Sequence, residues 1–162
     1  MTIALLGTGL LGRAIAERLQ SVGHSVTAYN RTASKARPLQ DCGITVVTRP
    51  EQAVSQADSV ILMLADMAAI RAVLLTPASL AILHGKTIIQ MGTIAQEESL
   101  ILQAEIEQAG GLYCEAPVLG SLTEAKAGTL FVMVGGTEAQ FAQWLPLFRA
   151  LSREPQIGRA HV

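Results

Sequence analysis

Three glycines carry the first chemistry this sequence offers: Gly7, Gly9 and Gly12, in the run GTGLLG. An apolar stretch, TIALL, leads into them and a helix-like stretch, LLGRAIAERL, follows directly. In that context the spacing is the G-x-G-x-x-G phosphate loop. Gly7 allows the tight turn, Gly9 lets backbone approach a pyrophosphate, and Gly12 lets the helix pack close to the strand. The helix start then offers unpaired N–H groups and a positive dipole end to the phosphates. Thr8, Leu10 and Leu11 complete the loop between the glycines.

About 20 residues beyond such a loop, the second strand ends beside the adenosine ribose, where an acidic residue selects NAD. Here that place holds Asn30, Arg31 and Thr32, with Lys35 about a turn further on. A carboxylate repels a 2′-phosphate, whereas the planar guanidinium of Arg31 holds one through paired donors. Thr32 either adds a hydroxyl or caps the next helix. These residues favour NADP(H) over NAD(H).

Other reactive side chains give weaker signals. Cys42 and Cys114 lie far apart in the sequence, without metal-ligand spacing, and read as two reduced thiols. No metal site is expected. His24 and His84 have no acidic neighbour in sequence and receive no role. The net charge is −1 and the basic residues are scattered, so there is no electrostatic footprint for nucleic acid.

The elements that must position these residues follow from composition and pattern. With 162 residues, half of them apolar and 15% charged, the chain suits one α/β domain whose sheet is buried on both faces. Apolar runs at TIALLG, SVTAYN, ITVV, DSVILML, KTIIQM, LYCEAP and TLFVMVGG read as strands. Between them GLLGRAIAERLQSVG, PEQAVSQ, AAIRAVLL, IAQEESLILQAEIEQAG and TEAQFAQWLPLFRAL read as helical. TASKARPLQDCG is expected to be a short helix limited by Pro38. This alternation predicts a Rossmann-type, doubly wound, mainly parallel sheet. The N-terminus lacks a basic lead-in, and no apolar run approaches the roughly 20 residues of a membrane span. A cytoplasmic chain is expected.

At this point the sequence resembles the β-hydroxyacid dehydrogenases. That family includes 3-hydroxyisobutyrate dehydrogenase, the cofactor domain of 6-phosphogluconate dehydrogenase, and the glyoxylate and succinic semialdehyde reductases. GTGLLG and NRT are the first two landmarks. MLAD, residues 63–66, resembles the turn after the fourth strand that lies along the cofactor, and so implies Met63, Leu64 and Ala65 as contacts. QMGTI, residues 90–94, resembles the segment that places a threonine, here Thr93, near the nicotinamide. EAPVLGSLTEAKAGTLFVMVGG, residues 115–136, is similar to the substrate-loop signature, with Ala125, Gly128, Leu130, Met133, Gly135 and Gly136 in step. There Gly120 and Ser121 suit an anion cradle for a small-molecule substrate. Each landmark also has a plainer reading. Asp66 reads better as a helix cap. Thr93 is equally a cap, Met63 and Met91 are core filler, Gly120 and Ser121 form a plain turn, and Lys126 is a solvated charge.

The resemblance implies NADP(H)-dependent hydride transfer between the cofactor and a small hydroxyacid or aldehyde. One departure is Leu119, where the family commonly has serine. It suits a more apolar carbonyl or an imine, so an imine reductase is the alternative, with a stand-alone NADP-binding module as a third reading. The family's other half is helical, builds a homodimer or larger assembly, and carries the general acid/base lysine. No catalytic residue is therefore expected within this chain, which alone is expected to be inactive. The last six residues, IGRAHV, can be encoded ATC GGA AGA GCA CAC GTC, one frame of a common sequencing-library adapter that continues into a stop codon. Residues 1–155 are thus expected to form the domain and 156–162 a non-native tail of a longer parent. Phe141, Trp144, Leu145 and Phe148 are then expected to face the parent's second domain.

Overall fold

The computed structural model describes residues 1–158. Its first strand, β1 (Thr2–Leu6), shows why the apolar runs are continuous rather than alternating. Ile3 and Leu5 enter one core while Ala4 and Leu6 enter the core on the opposite face. A sheet buried on both sides needs apolar residues at every position.

Helix α1 (Leu10–Ser21) returns the chain to β2 (Ser25–Tyr29), which pairs in parallel with β1, Leu5 opposite Ala28. A short helix α2 (Ala33–Ala36) then tightens into a 3₁₀ segment over Arg37–Cys42, with Pro38 in its first turn. Pro38 limits the α-helix as the sequence predicts, because it has no N–H to donate. β3 (Thr45–Val46) lies beside β2, and α3 (Pro50–Ser55) crosses back to β4 (Ser59–Leu62) on the far side of β1. After α4 (Met67–Val73) and α5 (Pro77–Leu80) comes β5 (Thr87–Gln90). α6 (Gln96–Gln108) then leads to β6 (Leu112–Glu115). Beyond it β7 (Val118–Leu119), α7 (Leu122–Ala127), β8 (Phe131–Gly135) and α8 (Glu138–Leu151) form an antiparallel margin. β9 (Gln156–Gly158) pairs in parallel with β8, so three residues of the expected tail join the sheet. The rest of that expectation, residues 159–162, lies outside the described residues.

The strand order is β3-β2-β1-β4-β5-β6-β8-β7. The first six strands are parallel, and the order reverses between β1 and β4. Such a switch point opens a crevice beyond the carboxyl ends of the strands. The doubly wound fold expected from sequence is the fold found. Among the described residues no helix is long and apolar enough to cross a membrane.

The expectation for α8 is corrected. Trp144 is 4% exposed and Phe148 fully buried, both in the core that α8 shares with α1. Phe141 packs against that core, its ring 6.0 Å from that of Phe148, and Leu145 is half-buried. The amphipathic face of α8 is spent on its own sheet. Apolar side chains left in solvent are found elsewhere, among them Leu119 at 59% and its cross-strand neighbour Phe131 at 48%.

Candidate cofactor site

The phosphate turn is built by close backbone contacts. Gly7 has φ +103°, and a Cβ there would stand 2.3 Å from the Met63 carbonyl oxygen. Only glycine takes that conformation and that contact without strain. A Cβ on Gly12 would stand 2.1 Å from the Gly7 carbonyl oxygen, so its absence lets α1 start directly against the turn. Around the Cβ position of Gly9 there is open space to 4 Å. Gly9 is also the N-cap of α1, and no side chain caps the helix. The first-turn N–H groups are therefore unsatisfied within the helix and available to an anion.

The turn is held from β2. The Gly7 N–H donates to the Tyr29 carbonyl at 2.9 Å, and the Thr8 N–H donates to Asn30 Oδ1 at 2.9 Å. Thr8 is 3% exposed, and its hydroxyl has no partner among the described residues. Leu10 stands out into solvent at 79% exposure, while Leu11 is half-buried against the core.

At the switch point these elements enclose a cavity of about 230 Å³. Gly7 and Gly9 form one side, and Asn30, Arg31, Thr32 and Lys35 another. Met63, Leu64 and Ala65, beyond the end of β4, make the apolar wall. No carboxylate lines it among the described residues. Arg31 is exposed, and no hydrogen bond or ion pair holds its side chain among the described residues. Thr32 is the N-cap of α2, but its hydroxyl makes no capping bond. Asp66, by contrast, is a true cap: Oδ1 accepts from the Ala69 N–H at 2.8 Å. The groups present fit a dinucleotide. Space and free N–H groups stand at the glycine turn, cations and a free hydroxyl at the end of β2.

Of the sequence-identified positions, Thr8, Leu10, Leu11 and Gly12 belong to the glycine turn without lining the cavity, and Thr93, Gly120 and Ser121 lie away from it. Thr93 is exposed between β5 and α6 and is not the cap of α6, whose N-cap is Ala95. Gly120 and Ser121 form the turn into α7. Ser121 belongs to a capping box, with the Glu124 carboxylate on the Ser121 N–H and the Glu124 N–H on Ser121 Oγ. The box was readable as S-x-x-E in SLTE, but Glu124 was missed. Lys126 is exposed in the last turn of α7. A wider cleft of about 510 Å³, with Glu115, Pro117 and Met133 in its wall, adjoins the ends of β6 and β8.

Among the described residues the remaining reactive groups do not form a second centre. Burial, reinforced by Glu115, pushes the Cys114 thiol up to about 12, so it stays protonated at neutral pH. Cys42 is a free, exposed thiol. Among the described residues no cluster of His, Cys, Asp or Glu could hold a metal.

Known proteins agree with this geometry. The family described as the NAD binding domain of 6-phosphogluconate dehydrogenase matches residues 2–158. Glyoxylate/succinic semialdehyde reductase 1 of Arabidopsis thaliana is 33% identical over 155 residues, covering 94% of this chain and 54% of that protein. The structure of Mycobacterium tuberculosis 3-hydroxyisobutyrate dehydrogenase with L-serine matches at TM-score 0.85 and 28% identity, over 97% of this chain and 53% of that one. An imine reductase of Streptomyces aurantiacus has the same fold, with TM-score 0.91 at 24% identity over 99% of this chain and 56% of its own. The chain spans about half the length, or less, of the curated relatives it matches. With the glycine turn, the switch-point cavity and these matches together, the chain belongs to the family of the NAD binding domain of 6-phosphogluconate dehydrogenase, a nicotinamide-dinucleotide-binding domain of the β-hydroxyacid dehydrogenase type.

Proposed function

We propose that this chain binds NADP(H), in preference to NAD(H), as the cofactor domain of an oxidoreductase acting on a small hydroxyacid or aldehyde. The observation that carries this reading is the unpaired Arg31 side chain at a cavity without a carboxylate, with Lys35 beside it. Gly7, Gly9 and the start of α1 take the pyrophosphate, and Arg31 and Thr32 take the 2′-phosphate. Met63, Leu64 and Ala65 shield one side of the cofactor from water. When bound, the nicotinamide supplies or accepts the hydride. We place Thr93 near that ring and Gly120 and Ser121 at the substrate.

Reduction of a carbonyl also needs a proton donor within hydrogen-bond reach. We assign that donor to the lysine-bearing half of the relatives, together with the oligomer contacts. The 162-residue chain is therefore expected to bind cofactor without turning over. With Cys42 and Cys114 both free thiols, we assign a reducing, cytoplasmic location.

A second reading has its own observation. Leu119 is 59% exposed where the family commonly has serine, and the Ser121 N–H is taken by a carboxylate. Both suit an apolar carbonyl or an imine. The chain is first titrated with NADPH by fluorescence, then supplied with succinic semialdehyde or a cyclic imine. Binding without NADPH consumption is expected, and turnover by the chain alone would contradict the assignment of the proton donor. In a full-length parent, preference for the cyclic imine would favour the second reading.

A further inference from the structure

We infer that Asn30 is a positioning residue: its side-chain amide clasps the pyrophosphate turn to the 2′-phosphate loop and sets cofactor selectivity through Arg31 and Thr32. The inference rests on the NADP(H) reading above and goes beyond it, because Asn30 acts within the protein.

The amide is used at both ends. Its Oδ1 accepts from the Thr8 N–H at 2.9 Å, and its Nδ2 donates to the Thr32 carbonyl at 3.0 Å. The reverse orientation would set donor against donor and acceptor against acceptor, so the hydrogen-bond pattern fixes it. Thr8 is buried, and without Asn30 its N–H would lose its acceptor. The Gly7 N–H bond to the Tyr29 carbonyl laces the same two segments one residue earlier. Nothing comparable holds Arg31, whose side chain has no partner among the described residues. Its placement relative to the glycine turn depends on the backbone on either side, which Asn30 ties from residue 30 to residue 32. One dinucleotide must meet both phosphate sites at once. A clasp that fixes their separation removes an ordering cost that binding would otherwise carry.

Substitutions separate the two bonds. Alanine loses both; aspartate keeps the acceptor for Thr8 but cannot donate to Thr32. The test combines hydrogen exchange at the Thr8 amide, followed by NMR on the cofactor-free chain, with calorimetric affinities for NADPH and NADH. In Asn30→Ala the Thr8 amide should exchange at least about tenfold faster, and the NADPH preference should fall about tenfold, as expected for a lost hydrogen bond to a functional segment. Added to Arg31→Ala, Asn30→Ala should change that preference no further, because it acts through Arg31. Asn30→Asp should keep Thr8 protected, and that exchange reading serves if the alanine variant does not fold. Its new carboxylate itself repels a 2′-phosphate, so a lost NADPH preference there does not count as support, whereas a retained one contradicts the inference. Unchanged Thr8 exchange in Asn30→Ala, a retained preference in either variant, or additivity with Arg31→Ala would overturn the inference. A wild-type chain that binds both cofactors equally would instead overturn the NADP(H) reading, with Thr8 exchange still reporting on the clasp.

Discussion

At the residue scale, the site divides into groups that local spacing specifies and groups that only the fold brings together. Gly7, Gly9 and Gly12 were legible because the turn, the close approach and the helix start are all short-range demands. Arg31 was singled out by the missing acid at the end of β2, and it lines the switch-point cavity. The Asn30 clasp was not, since its Thr8 partner lies 22 residues away and the bond depends on how β1 and β2 align. Glu124 had a local signal that went unused. The tightest steric claim concerns Gly12, where an added Cβ meets backbone rather than a movable side chain. Gly12→Ala is expected to destabilise the fold by about 1–3 kcal/mol, the usual cost of overpacking, read as a lower urea midpoint. An unchanged midpoint would show that α1 can shift away from the turn.

At the element scale, long periodic segments were identified correctly, as were α2, β3 and α3, and some short ones were missed. α5 and β7 have four and two residues, too few for a periodic pattern to emerge. The misjudged element was α8. Its sequence shows an amphipathic helix but not which surface its apolar stripe meets, and the structure spends that stripe on the sheet. Phe148 is fully buried there, so Phe148→Ala is expected to cost about 3–5 kcal/mol, measured by chemical denaturation. A cost below about 0.5 kcal/mol, the range of surface substitutions, would mean that the helix packs loosely. The same helix begins with a capping box in which Thr137 Oγ1 accepts from the Gln140 N–H at 3.1 Å. Thr137→Ala should cost about 1 kcal/mol, the typical value of a lost N-cap, and Thr137→Ser should restore it.

For the whole molecule, the parallel order and the switch point follow from the βαβ alternation, which is why the sequence indicated the doubly wound fold correctly. The antiparallel margin of β7 and β8 was less legible, because its pairing is set by turns and not by hydrophobic period. Acid stability has an identifiable component at the opposite end of the sheet. Asp58 accepts hydrogen bonds from the Thr2 hydroxyl at 2.6 Å and the Thr2 N–H at 3.1 Å, which hold its carboxyl below its ordinary value. A depressed folded pKa contributes stability above the unfolded carboxylate range, and that stability is lost as pH falls through the folded value. Asp58→Asn should therefore lower thermal stability slightly at pH 7 and flatten its decline in acid. A variant with an unchanged acid profile would assign the decline to other groups.

The account's central claim is that the switch-point cavity binds NADP(H) and that Arg31 reads the 2′-phosphate. Isothermal titration of the chain with NADPH and NADH, repeated on Arg31→Ala, tests it most directly. The account predicts tighter binding of NADPH, with a preference that falls by about tenfold to a hundredfold in the variant, the worth of one charge-assisted hydrogen-bond pair. Equal affinity for the two cofactors, or a preference that survives the loss of Arg31, would contradict it.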